Sequence, residues 1–268
     1  MRSHKTIWIA FSVLTLLATC LRTLATEMDL DHLLERVGKR VELFDEMFSQ
    51  VTCTETVSQL KLNPGGKVIQ QRKVSFDSLA MLQVNGNALI IEESKLPQGK
   101  VPKEKGEGKT FLVSEGFSVL LLIFHPIYQP GFEFTLSGQE TLDGKALQIV
   151  RFRHLQGSRS PSALQLSGRE YPLEWQGTAW MDPGLGGIVR IKAGLMGPME
   201  ELGLKRLDSE VRYAPVKFND IQEPQWLPLL ATVDAETVHQ HWKNVHQFSG
   251  YRLFSVETDS RIKDLPTN

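Results

Sequence analysis

Cysteine is almost absent from this chain, which carries only Cys20 and Cys53 in its 268 residues. Cys20 lies in an N-terminal segment that we expect to be removed, so Cys53 would remain alone in the mature chain. A single cysteine cannot form an intramolecular disulfide, and stability must then come from a packed core. We expect Cys53 to be a small buried apolar residue within a strand rather than a reactive thiol.

Neither an excess of charge nor a long apolar stretch marks the sequence. Its 30 basic and 31 acidic side chains give no general reason to expect nucleic acid as a partner. Beyond the N-terminus, the longest apolar run is the hexamer Val119 to Phe124, well short of the roughly 20 residues that span a bilayer. No repeat, phosphate-binding glycine loop or Gly-x-Ser-x-Gly elbow is present. We therefore expect no transmembrane span in the mature chain, no cofactor and no enzymatic activity.

The first 25 residues have the layout of a secretory signal peptide. Arg2 and Lys5 provide a basic start, residues 7–19 form a short apolar run, and small residues precede a cleavage point after Ala25. The apolar run is shorter than the roughly 20 residues of a transmembrane helix. We predict a signal peptide over residues 1–25.

Cleavage there leaves residues 26–268, which we expect to form a single domain in a periplasmic or secreted location. A second reading concerns Leu17 to Cys20, which is close to a bacterial lipobox. In that case Cys20 would carry a lipid anchor and hold the domain on a membrane.

One amphipathic helix is predicted near the start of this domain. Apolar residues recur at steps of three and four, which places them on one helical stripe, and Asp29 or Thr26 can cap its start. The stripe consists of Leu30, Leu33, Leu34, Val37, Val41, Phe44, Met47 and Phe48.

Most of the chain beyond this helix is predicted to form β-strands joined by short turns, which indicates an antiparallel sheet. Asn85-Gly86 between two strand-like runs is typical of a tight hairpin. A sheet of many strands must curl or close. We predict an α+β fold, mostly β: a strongly curved antiparallel sheet (half-open β-barrel) with a long N-terminal helix and a short helix or loop as a plug. The predicted strands cover 51–57, 68–76, 79–84, 88–91, 132–136, 146–154, 173–182, 188–193, 207–218, 226–241 and 251–257.

Three segments interrupt this pattern. Residues 97–110 are charged and rich in Gly and Pro, which predicts a mobile loop. Residues 116–130 should begin as a short helix and continue as irregular chain, and they are more apolar than a surface connection. Residues 194–203 form a second irregular piece, which carries Met196.

Few side chains indicate chemistry. His239 and His241 would share one face of a strand, near His246, but no cysteine or clear carboxylate completes a metal site, so we expect none. Glu55 shares a strand face with apolar residues, so it is either a buried, functional carboxylate of raised pKa or a residue that lies at a sheet rim or pairs with an Arg.

Ser114, Ser118 and His125 flank the apolar segment, and a Ser and a His alone do not make a catalytic triad. Tryptophans on predicted strands either pack in the core or line a ligand pocket. Gly177, at the centre of a strand, either admits a close neighbour or leaves space above the sheet.

A family resemblance is carried by the strand–turn–strand stretch from Trp175 to Ile191. Trp175-Gln-Gly-Thr-Ala-Trp-Met-Asp182, a Gly-rich turn and Gly187-Ile-Val-Arg-Ile191 resemble a hairpin of outer-membrane lipoprotein-sorting proteins of the LolA/LolB type. The order of signal peptide, long helix and antiparallel meander is similar as well. The chain also looks like uncharacterised secreted bacterial proteins of similar length, through the sequences at 51–57, 124–134, 143–147, 211–218 and 226–228.

The resemblance implies an incomplete, strongly curved barrel whose open side is plugged by helices over an apolar cavity. It also implies a carrier that shields acyl chains of lipoproteins. We expect an apolar ligand, a lipid group or a lipoprotein in this concavity, contacted by Phe117, Leu121, Phe124, Trp175 and Met196. The alternative is a non-enzymatic interaction or structural protein of the envelope, with a filled core and a protein partner.

Overall fold

The computed structural model describes most of the predicted mature domain. The signal segment, Cys20, Phe117 and Ser118 lie outside the described residues, as does most of the predicted loop 97–110. The described residues are 29–48, 50–85, 88–99, 111–114, 119–142, 144–166, 168–219 and 221–253.

Twelve strands and one long helix make up the described chain, and ten of the strands form one antiparallel sheet in the order β3-β2-β1-β12-β11-β10-β9-β8-β5-β4. Strands β6 and β7 pair separately as a small hairpin. The strands are β1 (Val51–Leu62), β2 (Val68–Asn85), β3 (Ala88–Pro97), β4 (Phe132–Leu142), β5 (Lys145–His154), β6 (Ala163–Leu166), β7 (Arg169–Pro172), β8 (Trp175–Met181), β9 (Ile188–Leu195), β10 (Leu204–Phe218), β11 (Ile221–Thr237) and β12 (His241–Leu253).

The sheet is open, because among the described residues β3 pairs only with β2 and β4 pairs only with β5. The first and last strands meet in its interior, where β1 pairs along its length with β12. Several register shifts mark β-bulges, as between Leu136 and Gln139. Bulges bend a strand and increase its twist. The predicted class, mostly β with a curved antiparallel sheet and a long helix, is confirmed.

Alternation along β1 separates the two faces of the sheet. Every second side chain from Val51 to Gln59 is buried, and those between are partly exposed. Val51 and Cys53 face the main core, so the face they share is the inner, covered face.

Helix α1 (Leu30–Phe48) covers the inner face with its apolar stripe. Leu33, Val37 and Val41 of this stripe are almost completely buried in the main core. Asp29 caps the helix, since its Oδ1 accepts a hydrogen bond from the Asp31 amide at 3.1 Å. The helix predicted from the 3.6-residue period is therefore present over the expected residues.

A second apolar element lies beside α1 on the inner face. It consists of the one-turn helix α2 (Val119–Leu122), irregular turns and a 3₁₀ turn over Gln129–Gly131. We call residues 119–131 the plug. The expected short helix followed by irregular chain is confirmed over these residues. Gly38 of α1 lets the plug approach, because a Cβ there would lie 3.0 Å from Gln129 Nε2 and 3.2 Å from Pro126 Cγ.

The last strands differ from those predicted. The predicted strand 226–241 is wrong at its end, because β11 ends at Thr237 and a turn over 238–240 comes next. The predicted strand 251–257 begins too late, because β12 already begins at His241 and ends at Leu253, and residues 254–257 lie outside the described residues. The buried positions of β12 include Asn244 and His246, and polar residues on the inner face remove the apolar alternation that signals a half-buried strand.

Candidate functional site

The plug and the sheet meet in a cluster of aromatic rings on the inner face. The ring of Phe124, which is 0% exposed, lies 5.4 Å from that of Phe134 and 5.6 Å from that of Phe152. Phe132 lies 6.2 Å from Phe152 in an edge-to-face arrangement. Such ring pairs add to the stabilisation from buried area. We call Leu121, Phe124, Phe132, Phe134 and Phe152 the apolar region.

Little space remains between the plug, the helix and the sheet. A cavity of about 30 Å³ lies between α1 and β9–β11, which is room for about one or two water molecules. Its walls include Val41, Phe44, Leu121, Ile188, Tyr213 and Trp226. Between α1 and β9–β11, side chains of the described residues therefore fill most of the space on the inner face.

The turn after β8 seals one side of this cavity. Asp182 Oδ1 accepts hydrogen bonds from the amides of Gly184 and Leu185, which fixes the turn. Gly186 then adopts a φ of +65°, and a Cβ there would lie 3.1 Å from the Arg36 carbonyl oxygen of α1. A glycine is required at this position both for the left-handed conformation and for the contact with the helix.

Among the described residues, few polar contacts join the plug to the rest of the fold. Gln129 Nε2 donates to the Leu34 carbonyl of α1 at 3.0 Å, and Tyr128 Oη donates to the Leu89 carbonyl of β3 at 3.3 Å. His125 Nδ1 accepts from the Ile127 amide, and burial lowers the pKa of His125. Apolar packing is therefore the main attachment of the plug.

The predicted ligand contacts fall in different surroundings. Leu121 and Phe124 lie in the main core, as does Trp175, whose indole N–H donates to Ser162 Oγ at 2.6 Å. Met196 is only partly buried, just after β9, and its amide donates to the Glu174 carbonyl. Phe117 lies outside the described residues. The role of all five as ligand contacts stays a prediction.

Three other sequence positions have a structural explanation. Trp226 lines the small cavity, whereas Trp180 lies under the Arg190 guanidinium at 4.7 Å. At Gly177 a Cβ would lie 2.0 Å from the Lys192 carbonyl and 2.6 Å from Phe152 Cζ. Of the two readings of Gly177, the structure supports the close neighbour and not free space for a ligand.

A buried polar cluster occupies the inner face where β1 meets β12. Glu55 is 0% exposed and His246 is 1% exposed. His246 Nδ1 lies 2.6 Å from Glu55 Oε1, and Lys95 Nζ, from β3, lies 3.0 Å from Glu55 Oε2 and 3.0 Å from Glu93 Oε2. Glu55 is therefore a paired carboxylate, but it is buried rather than at the sheet rim, and its partners are Lys95 and His246 rather than an Arg.

Residues 111–114 cross this cluster and are hydrogen-bonded to it. Ser114 Oγ lies 2.8 Å from His246 Nε2. Asn244 Nδ2 donates to Ser114 Oγ at 2.7 Å and to the Leu112 carbonyl at 2.9 Å. We call Glu55, Lys95, Ser114, Asn244 and His246 the polar cluster.

Charge pairing sets the ionisation of the cluster. Burial acts to raise the pKa of Glu55, but the hydrogen bond from His246 and the charge of Lys95 outweigh it and the pKa is lowered. Burial acts to lower the pKa of Lys95, but the charges of Glu93 and Glu55 outweigh it and the pKa is raised. Both groups are therefore held in their charged forms near neutral pH.

The neighbouring thiol behaves differently. Burial, and then the charge of Glu55, raise the pKa of Cys53 to about 12. The side chain is buried and unpaired with any other cysteine. It is therefore protonated near neutral pH, as expected of a small buried residue rather than a reactive thiol.

The histidines predicted as neighbours are not brought together. His241 Nε2 lies 2.8 Å from Asp234 Oδ1 of β11, whereas His246 is in the polar cluster on the inner face. His239 lies in the turn between the two strands. Within the described ranges, no group of three metal-ligating side chains is close enough to hold a metal ion. Nor is any helix there long and apolar enough to cross a membrane.

Sequence reasoning missed how the polar cluster assembles. The sequence groups Ser114 with Ser118 and His125, but in the structure Ser114 lies against His246, which is 132 positions away in the sequence. The placement of Glu55 on the buried face of β1 was the one local signal. Nothing local in the sequence connects it to Ser114.

Comparison with known proteins gives likeness of structure only. No protein-family model matches the sequence, and no curated protein is similar to it. Among solved structures, a DUF1329 family protein from Desulfovibrio piger is 13% identical with a TM-score of 0.39, and the match covers 86% of this chain and 95% of that one. A LolA superfamily protein from Nitrosomonas europaea is 12% identical with a TM-score of 0.37, over 83% and 94%.

A third structure, an outer membrane lipoprotein-sorting protein domain from Vibrio parahaemolyticus, is 10% identical with a TM-score of 0.39, over 85% of this chain and 94% of that one. The LolA/LolB-type resemblance suggested by the sequence is thus found again among solved structures. At this level of similarity it concerns the arrangement of the chain and carries no information about ligand or mechanism.

Proposed function

We propose that this protein is an exported protein of the cell envelope that binds an apolar ligand, such as the acyl chain of a lipid or lipoprotein, on the inner face of its curved sheet. The ligand takes the place of the plug rather than entering a cavity. The observation that supports this most directly is the composition and attachment of the plug. Residues 120–124 are 0–4% exposed, yet the plug makes few polar contacts with the rest of the fold.

Simple energetics makes such an exchange feasible. Burying a Leu, Ile or Phe side chain contributes about 1.5–3 kcal/mol, so five such residues contribute on the order of 10 kcal/mol. A fatty acyl chain of about 14 carbons, at about 0.8 kcal/mol per methylene, contributes a similar amount. The inner face can therefore exchange one for the other with a small net change in free energy.

Localisation forms part of the proposal. Residues 1–25 direct export, and the mature protein is periplasmic or secreted, with Cys20 lipidated if cleavage precedes it. The mass of the mature protein from its own host separates these forms, because a chain beginning at residue 26 lacks Cys20 altogether. A retained, unmodified N-terminus on protein found in the cytoplasm would contradict export.

The test of ligand binding is native mass spectrometry of protein purified from its own envelope, followed by solvent extraction and lipid analysis. We expect a co-purifying acyl-chain species and uptake of a fluorescent fatty acid by the emptied protein. Leu121→Glu should increase uptake, because a buried carboxylate weakens the packing of the plug that the ligand has to displace. Ile127→Glu is the matched control, since Ile127 belongs to the plug but is 46% exposed.

Leu121→Glu can also unfold the protein, so a second measurement is made on the wild-type chain. Backbone hydrogen exchange of residues 119–124 should accelerate on fatty-acid binding if the ligand displaces the plug. Binding with unchanged protection there would contradict the displacement model.

The filled inner face favours a second candidate function, a non-enzymatic interaction or structural protein of the envelope. The cavity of about 30 Å³ is much smaller than the roughly 300–1,000 Å³ of typical ligand pockets. The open edges at β3 and β4 offer backbone groups for strand addition by a protein partner. A clean ligand-free mass and no fatty-acid uptake would favour this candidate over the carrier.

A further inference from the structure

The polar cluster contains a hydrogen-bonded chain from a hydroxyl to a carboxylate. Ser114 Oγ lies 2.8 Å from His246 Nε2, and His246 Nδ1 lies 2.6 Å from Glu55 Oε1. An ionised carboxylate can only accept, so the Nδ1 of His246 must be the donor to Glu55, and in the imidazole form the one ring hydrogen is on Nδ1. Nε2 is then the acceptor for the Ser114 hydroxyl.

This order of groups is the one that activates a serine nucleophile. A nucleophile within hydrogen-bond reach of a base, with the base oriented by a third group, is the general arrangement for covalent catalysis. Glu55 is fully buried and held between His246 and Lys95. We propose that Ser114, His246 and Glu55 form a hydrolytic site for carboxylic esters that carry an apolar acyl group.

The reaction follows from these roles. Ser114 Oγ attacks the carbonyl carbon of the ester while its proton passes to His246 Nε2. The bond from the carbonyl carbon to the alcohol oxygen then breaks, and the alcohol leaves with the proton from His246. Water attacks the acyl-serine, again giving its proton to His246, and release of the carboxylic acid restores the Ser114 hydroxyl.

A buried amide holds the nucleophile in place. Asn244 is 0% exposed, and its Nδ2 lies 2.7 Å from Ser114 Oγ. Because Ser114 Oγ accepts this hydrogen bond, its own hydrogen is free to point at His246 Nε2. Asn244 Nδ2 also donates to the Leu112 carbonyl at 2.9 Å, so this amide ties Ser114 to the segment that carries it.

The preference for an apolar acyl group is inferred from the side chains that surround the polar cluster. The ring of Phe248 stacks near His246 with 6.3 Å between centroids and an interplanar angle of 7°. Val57, buried, is the β1 residue opposite His246. The base is thus set beside apolar side chains of the inner face, which favours an acyl chain over a charged acid.

The experiment uses the full exported chain with a fluorophosphonate probe and p-nitrophenyl octanoate. We expect one phosphonate adduct, located on Ser114 by peptide mapping, and ester hydrolysis above the buffer rate. Ser114→Ala should abolish labelling and lower hydrolysis by roughly 10³-fold or more. Ser58→Ala is the matched control, because Ser58 lies on the outward face of β1, and it should leave both unchanged.

Glu55 acts through His246, so it is a positioning residue. Glu55→Gln should lower kcat with little change in KM, because the amide cannot stabilise the protonated imidazole. Circular dichroism melting of each variant confirms that it is folded. Wild-type protein that is folded but neither labelled nor active overturns the proposal, as does hydrolysis that persists in Ser114→Ala. The site is separate from the proposed ligand binding, since fatty-acid uptake by Ser114→Ala should match the wild type.

Discussion

The apolar region and the polar cluster lie on the same inner face and are held together by different physics. In the apolar region, Phe124 packs against Phe134 and Phe152 without a hydrogen bond between side chains. In the polar cluster, Glu55 has two charged or hydrogen-bonding partners in fixed positions. Apolar packing is non-directional, so other apolar groups of similar volume can take the place of the packed side chains. The stability contributed by a buried ion pair depends on the distance and orientation of its two groups. Such a pair therefore holds the strands that carry the two groups in fixed positions.

This difference bears on function. The apolar region is held by packing alone, which is what the proposed displacement of the plug by a ligand requires. The polar cluster holds three strands and residues 111–114 at defined distances, which suits chemistry that needs atoms placed within a few tenths of an ångström. Substitutions in the two regions should therefore change the free energy of unfolding by different amounts and with a different dependence on pH.

The largest expected effect is in the apolar region. Phe124→Ala should lower the free energy of unfolding by about 3–5 kcal/mol, because it removes a fully buried ring and leaves a cavity. Urea denaturation measures the change. Ile127→Ala, at a half-exposed position of the same plug, should change it by less than about 0.5 kcal/mol. An equal effect of the two substitutions would mean that the plug is not packed as described.

Removal of the central charge of the polar cluster should come next. Glu55→Gln leaves Lys95 buried with only Glu93 as an anionic partner, and breaking a buried pair by removing one member costs about 3 kcal/mol or more. The double variant Glu55→Gln with Lys95→Met should recover part of this loss, because it removes the unpaired charge as well. Failure of the second change to recover any stability would argue against the pair.

Acid should distinguish the two regions. The pKa of Glu55 is lowered from its ordinary value of 4.5, so its contribution to stability is present above that pH and is lost as the pH falls through the lower, folded-state value. The stability difference between wild type and Glu55→Gln should therefore shrink below about pH 4.5. The difference between wild type and Phe124→Ala should not follow this trend, since no titrating group is changed. Denaturation curves at several pH values test both.

A backbone contact should give a smaller effect. Gly177→Ala places a methyl group against the Lys192 carbonyl and the Phe152 ring, and overpacking of this kind typically costs about 1–3 kcal/mol. Gly65→Ala is the control, because Gly65 is exposed in a turn and its Cβ would meet only Asn63 Oδ1 at 3.4 Å. A well-tolerated Gly177→Ala would show that β8 and β9 can separate at this point.

The smallest expected effect is an increase in the free energy of unfolding. Val41→Ile adds one methylene beside the cavity of about 30 Å³ and should stabilise the protein by about 0.5–1 kcal/mol. Thermal denaturation measures it. If the plug leaves on ligand binding, the same substitution should weaken fatty-acid uptake slightly, because it favours the filled arrangement.

Much of the fold could be predicted because its elements follow local rules. Helix α1 shows a complete apolar stripe from Leu30 to Phe44, and β1 shows period-two alternation from Val51 to Val57. β12 was misplaced because Asn244 and His246 occupy its inner face, where apolar residues are expected. The polar cluster could not be predicted, because it joins residues from β1, β3, β12 and residues 111–114, which only the tertiary fold brings together.

The pairing of β1 with β12 has a consequence for how the chain reaches its folded state. Glu55 and His246 are separated by 191 positions, so the middle of the sheet joins the beginning and the end of the domain. An exported chain emerges from its N-terminus first, and β1 then has one free edge until nearly the whole domain has crossed the membrane. Non-local contacts of this kind slow folding and expose strand edges to aggregation. If the chain is exported as proposed, its folding should therefore depend on chaperones that protect the first hairpin until the last strand arrives.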